Sequence, residues 1–516
     1  MKRFSMAMMG LALAGLMTTV SCRKPVVGFT NGESRTVTVS AVTESGGGSK
    51  TSIDGLNVKW SVGDKISMNG CELTLKEGAG TTKGVFEGTV TGTDPYYVGY
   101  PAEYISYDAD PLSFSINIPA TMTYAAAKQI VPMAAVTNSV EGGLQFHNAV
   151  NMLKLQLKGG GDDDNANKLK RIKLTSATSY LSGDISVTFD GATPTFNAIT
   201  DGVRLGKTMT VFFGDDLQLT DAAKCVYIPL AKIAGGDLTV RFYCANGKYM
   251  EKKVNVTTDF NEVNNMLDGE LTVTADKEYE YVDLGLQSGL LWATCNVGAD
   301  SPEEYGWYFM WGSVTEGGDP NCRWAKCPGN GGKSRYDETA FNEWEADNLT
   351  GGVLNPGVDA AAANWGGAWR MPTSAEWKEL TDNTYMEWVY GYGGGVVPGF
   401  VVYKAKDEAD KGLMRIELTE DPDAYEWHTV DKEGNEASLK GEYSLLDAHL
   451  FLPAAGSREG NISLEPGHFP EYWSSSLESS EPSEAYIGAG TPGGFCPDCS
   501  AYRSTGYSVR PVLSSR

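Results

Sequence analysis

The chain has 516 residues, with 42 Lys and Arg against 66 Asp and Glu, a formal net charge of −24. That length allows roughly three domains, and a 41% hydrophobic fraction is enough for packed cores, which excludes a disordered acidic tail. A pI near 4.6 without clustered Lys and Arg excludes nucleic acid as a partner, and four histidines speak against a multi-histidine metal centre, so no metal or cofactor is expected.

Residues 1–22 open with Lys2 and Arg3, followed by an apolar run from Met6 to Met17. That run is too short to cross ~30 Å of hydrocarbon as a helix, so residues 1–21 read as a secretory signal. Thr19-Val20-Ser21-Cys22 is similar to a bacterial lipobox, with Thr19 where Leu is usual. Lipidation of Cys22 is expected, and would tether the acidic body to a membrane.

Short strands come next. Val37, Val39 and Ala41 alternate with Thr36, Thr38 and Ser40, and Leu153, Leu155 and Leu157 alternate with Lys154, Gln156 and Lys158. The tract Gly159 to Asn165 interrupts the pattern; its three adjacent Asp lack the spacing of a calcium loop and read as a solvated turn. Further strands are predicted around Ile172 and Leu174, Val211 to Phe213, Leu238 to Cys244, and Val254 to Val256. No long amphipathic helix is predicted before residue 274. Two β-sandwiches, over 22–157 and 158–274, account for this pattern.

Several of these residues carry a likeness. Lys50-Thr51-Ser52, Val58 to Ile66 (VKWSVGDKI), Tyr100-Pro101-Ala102, Ile118-Pro119-Ala120 and Phe146-His147-Asn148 resemble the fimbrillin (Mfa-like, type V pilin) lipoproteins of Bacteroidia, over about residues 23–273. The resemblance implies paired transthyretin-like sandwiches and pili assembled by strand donation between pilin subunits. Proteolysis would free the first strand, and a neighbour's strand would fill the exposed groove. The trypsin-like cut is expected after Lys50, beyond the linker Glu44 to Lys50, or after Arg35.

Beyond the polar linker Thr274 to Glu278 the composition shifts. Of 12 tryptophans only Trp60 precedes residue 290. Thr373 with Glu376 predicts a capping box, and Trp377 with Leu380 an apolar helix face ending near Asn383. Arg370-Met371-Pro372-Thr373, Tyr472-Trp473-Ser474-Ser475-Ser476 and Tyr507-Ser508-Val509-Arg510-Pro511-Val512 resemble the Fibrobacter-type major paralogous domain and, more distantly, C-type-lectin-like folds, over residues 279–516. The resemblance implies an exposed ligand-contacting surface between Ser475 and Thr505. Tyr486, Phe495, Tyr502 and Arg503 are its candidate contacts, because aromatic and arginine side chains concentrate binding energy.

Eight cysteines remain after Cys22. Cys322 with Cys327 and Cys496 with Cys499 are the nearest pairs; they are read as disulfides or chance neighbours in preference to zinc ligands. Calcium–sugar motifs are missing, and His428, His449 and His468 show no catalytic or metal spacing. The expected fold is mainly β: two sandwiches and an α+β C-type-lectin-like domain. The expected protein is a non-enzymatic, lipid-anchored fimbrial tip adhesin at the outer membrane surface, taking an unknown protein or glycan ligand. Two alternatives stay open: a formylglycine-generating-like oxidase using Cys496 and Cys499, and a surface ligand-binding lipoprotein outside any pilus.

Overall fold

The computed structural model describes residues 34–43, 58–92, 94–107, 113–124, 131–199, 205–233, 235–256, 266–421 and 424–514. Cys22 and Lys50 lie outside these. The fold is mainly β, in two compact units. One comprises Met1–Ile118, Ile130–Asn151 and Asp184–Ile199; the other comprises Pro119–Gln129, Met152–Gly183 and Thr200–Arg516.

In the first unit an eight-stranded sheet faces a four-stranded one. The predicted alternation holds: in strand Arg35–Val42 the side chains of Val37, Val39 and Ala41 are buried. This strand pairs antiparallel with Lys83–Val90 from Arg35↔Val90 to Val42↔Lys83. Its other neighbour, Leu144–Gln145, covers only its last two residues. The VKWSVGDKI motif is a turn that seats a core. Ser61 donates its N–H to Asp64 at 2.7 Å, and Tyr100 donates its hydroxyl to the same carboxylate at 3.1 Å. Trp60 packs edge-on against Phe86, Tyr100 and Phe146 at 4.9–5.5 Å. Phe114 and Phe189 from the smaller sheet meet 5.6 Å apart, and Phe189 touches Tyr97 of the larger sheet.

Two assignments from sequence change. Strand Asn151–Gly159, carrying Leu153, Leu155 and Leu157, belongs almost wholly to the second unit, where it lies between Lys224–Leu230 and Met266–Val273. The hairpin Gly183–Asp190 and Thr193–Phe196 joins the first unit from Asp184 onward, beside Ser113–Ile118. In both cases the partner strands are distant in sequence, and alternation fixes which face is buried but not which strand lies alongside.

The second unit has a six-stranded sheet ordered Lys277–Glu278, Lys248–Val256, Gly236–Cys244, Lys168–Ser176, Thr208–Gln218, Thr121–Thr123. The expected linker is therefore partly a strand, with Lys277 opposite Tyr249. Residues after it pack directly on this sheet. Arg171, wholly buried, donates to the Asn364 carbonyl at 2.8 Å and the Tyr279 hydroxyl at 3.0 Å, with its guanidinium 4.0 Å from the Tyr243 ring. Asp300 accepts Lys173 at 2.6 Å, Arg241 at 2.9 Å and the Tyr243 hydroxyl at 2.9 Å. Burial alone would raise the Asp300 carboxyl, but Lys173 and Arg241 outweigh it and hold it below the usual carboxylate range. At Gly366 (φ +73°) a Cβ would come within 2.5 Å of the Ala245 carbonyl oxygen, so only glycine permits the backbone contact.

Among the described residues the α-helices lie in the C-terminal part: α1 (Glu338–Asn348), α2 (Ala360–Trp365) and α3 (Ser374–Asn383). The predicted capping box is present in α3, with Thr373 and Glu376 serving each other's backbone N–H groups. Its Trp377 and Leu380 are buried in a core with Trp292, Trp388, Phe400, Tyr472 and Phe495. A second core gathers Trp311, Trp365, Trp369, Trp473 and Tyr507.

Candidate ligand-binding surface

The last three long strands, Glu471–Leu477, Glu484–Thr491 and Gly494–Tyr502, form an antiparallel meander with Gly494–Tyr502 at the sheet edge. Alternation sorts their side chains. Glu484 lies opposite Tyr502 and Tyr486 opposite Ser500, so these four share one face, and Ser500 donates to Glu484 at 2.5 Å. Tyr502 is 56% exposed. Tyr486 is half-buried; its hydrogen bond to Glu478 leads burial in pushing the phenol up to about 12. These two expected contacts sit where a ligand can reach them.

Phe495 and Arg503 do not. Phe495 is buried, with ring centroids 5.9 Å from Trp377 and 5.7 Å from Phe400. Two glycines in the neighbouring strand make its slot: a Cβ on Gly488 would lie 2.9 Å from Trp377, and one on Gly490 would lie 2.9 Å from both Phe400 and Phe495. Arg503 has no exposure at all. It pairs with Glu345 of α1, and its guanidinium lies 4.8 Å from the Trp311 ring and 4.5 Å from Phe341. The expectation that both residues face a ligand is corrected: aromatic slots and the half-buried Glu345 carboxylate draw them inward.

Cys496 and Cys499 are joined as a disulfide, whereas Cys322 and Cys327 are separate buried thiols. Burial pushes the Cys322 thiol up to about 12. The bridged residues lie opposite Ala489 and Ile487, so three steps on one strand face two on the other, and the disulfide closes over a bulge. Arg35 sits at the exposed start of its strand and donates to the Tyr96 hydroxyl at 2.5 Å.

Sequence reasoning passes over Trp427. It belongs to Ala424–Val430, the outer strand of the sheet completed by Met414–Asp421, Thr384–Val389, Gly399–Lys404 and His449–Pro453. The available signal is an aromatic among charges, Glu426-Trp427-His428, where a core residue would have apolar neighbours at every second position.

No family model matches the chain, and no curated protein matches it. Among solved structures it is similar to a candidate cell adhesion protein from Bacteroides uniformis, at 13% identity, covering 46% of this chain and 93% of that one with TM-score 0.28. A tip fimbrial protein from Porphyromonas gingivalis, truncated at its C-terminus, matches at 12% identity over 44% and 82% with TM-score 0.22. A fimbrial protein from Bacteroides ovatus matches at 9% identity over 92% and 98% with TM-score 0.22.

Proposed function

We propose that this chain is a cell-surface fimbrial subunit, lipid-anchored at Cys22 until processed, that accepts a strand from another pilin in place of its own first strand. In this reading residues 22–274 form the pilin part, and residues 279–516 are a head that presents a ligand surface at the tip. One observation carries it. Strand Arg35–Val42 buries Val37, Val39 and Ala41 while pairing fully on one side only, so its departure opens an apolar groove edged by unpaired backbone groups.

In this reading the cut falls after Lys50. A cut after Arg35 leaves Thr36–Val42 within the body, whereas a cut after Lys50 severs the whole strand from the remainder of the chain. Val512–Leu513 lies inside a sheet, between Leu291–Ala293 and Trp369–Arg370, so these residues are not a strand available for donation.

N-terminal sequencing of sheared surface filaments tests the reading. The chain should begin at Thr51, and Lys50→Ala should block incorporation while Arg35→Ala should not. Filament-borne chains starting at Cys22 would overturn it. Copper-dependent oxidation of a cysteine-containing peptide, lost on Cys496→Ser, would favour the oxidase instead.

A further inference from the structure

Of the twelve tryptophans, Trp427 alone is more than a third exposed, at 41%. It stands directly across from Glu417 in the neighbouring strand. The Arg415 guanidinium lies 4.8 Å from its ring and is held there by Glu387, which is opposite Arg415 on the next strand. Tyr390, 55% exposed, meets Trp427 edge-on at 6.3 Å and donates its hydroxyl to Glu417. Among the described residues the Trp427 indole N–H has no acceptor. These side chains are fixed by strand register and by one another, so a ligand meets a surface already ordered.

The surroundings of the indole decide what fits it. The middle of a protein–protein interface is depleted in Glu and Asp, yet here the exposed ring stands across from Glu417 and against Arg415, which Glu387 holds. A protein partner seated over the ring would strip water from those charges without replacing it. A sugar ring brings its own replacements. Its axial C–H face lies on the indole as an apolar surface, while its hydroxyls donate to the Glu417 carboxylate and accept from Arg415 and the indole N–H. Carboxylates outnumber the guanidinium, and the whole chain carries −24, which repels acidic sugars.

We propose that Tyr390, Arg415, Glu417 and Trp427 form a platform for a neutral pyranose of a glycan. This deepens the adhesin reading and rests on it for biological setting; the Glu417 N–H donates to the Pro492 carbonyl in the turn of the last hairpin at 2.8 Å, but Tyr502 lies at the opposite end of that hairpin, and the platform's chemistry can be tested without filaments.

The test is titration of the purified full-length protein by calorimetry and saturation-transfer NMR. The probes are neutral tri- to hexasaccharides of glucose, galactose, mannose and N-acetylhexosamine. At least one should bind. Trp427→Ala, which changes no charge, should weaken it about tenfold or more; Glu417→Gln should weaken it several-fold; Tyr502→Ala should leave it unchanged. Melting temperatures should match across the variants, because Trp427, Glu417 and Tyr502 lie outside the cores. Absence of binding across the panel would overturn the proposal. So would binding that survives Trp427→Ala or that is lost with Tyr502→Ala. A protein ligand held through Trp427 with no sugar bound would overturn the ligand class. Failure of the filament experiment with sugar binding intact would sink the fimbrial reading alone.

Discussion

Two hairpins of the C-terminal part make the same kind of structure and reach opposite results. Glu484–Tyr502 looks like a display surface, yet Phe495 at its edge strand and Arg503 just beyond it are swallowed by the body. Met414–Val430 looks like one more pair of strands, yet it holds Trp427 out into solvent. The difference lies in what covers each sheet. Helix α3 brings Trp377 over the first hairpin and turns two glycine positions into a slot, and α1 brings Glu345 to Arg503. Among the described residues, Tyr390, Arg415 and Glu417 stand beside Trp427 without closing over it, and it keeps 41% exposure. Composition names the residues able to bind; the cover decides which of them can.

Substitutions sharpen the contrast. Arg503→Met should have the largest effect: it leaves Glu345 as an uncompensated, mostly buried charge, at about 3–5 kcal/mol in thermal or urea unfolding. A loss below about 1 kcal/mol would mean that the guanidinium is solvent-facing after all. Phe495→Ala should cost about 3–5 kcal/mol through the cavity left against Trp377 and Phe400. Trp427→Ala and Tyr502→Ala, by contrast, should stay within about 0.5 kcal/mol of the parent.

Between these extremes lie the titrating groups. Asp300→Asn should destabilise the protein by about 2 kcal/mol. Because the Asp300 carboxyl is held below its ordinary value, its contribution is present above pH ~4 and is lost as the pH falls through the native value. The variant's unfolding should therefore be less acid-sensitive than the parent's below that point. Glu471 runs the other way. Burial, with Glu465 adding, pushes its carboxyl up to about 7, so the folded protein binds the extra proton between pH ~4.5 and 7, and stability falls as the pH rises through that window. Glu471→Gln should flatten this slope in a pH series of melting temperatures; an unchanged slope would assign it to another group.

The features legible in the sequence are local. The α3 capping box spans only the short step from Thr373 to Glu376, and those two residues announce it. The alternation in Arg35–Val42 predicts which side chains are buried. The features that are not legible depend on distant partners. Asn151–Gly159 runs parallel to Met266–Val273, more than a hundred residues on, and no periodicity announces that neighbour. Arg503 is misplaced by sequence reasoning for the same cause, since the carboxylate that takes it inside lies 158 residues earlier. Tyr502, one position before it, is named on the same ground as Arg503, its residue type, and its 56% exposure comes from lying on the edge strand of the sheet.

The strand Lys277–Glu278 is where the chain passes from the six-stranded sheet into the region that carries Trp427 and Tyr502. A connector built into a ladder, with Arg171 and Asp300 bolted beside it, offers no swivel. If the strands carrying Trp427 and Tyr502 hold a ligand, drag on it would reach the sheet as torque on a stiff lever, and the first bonds loaded would be those of the joint rather than those of a slack tether.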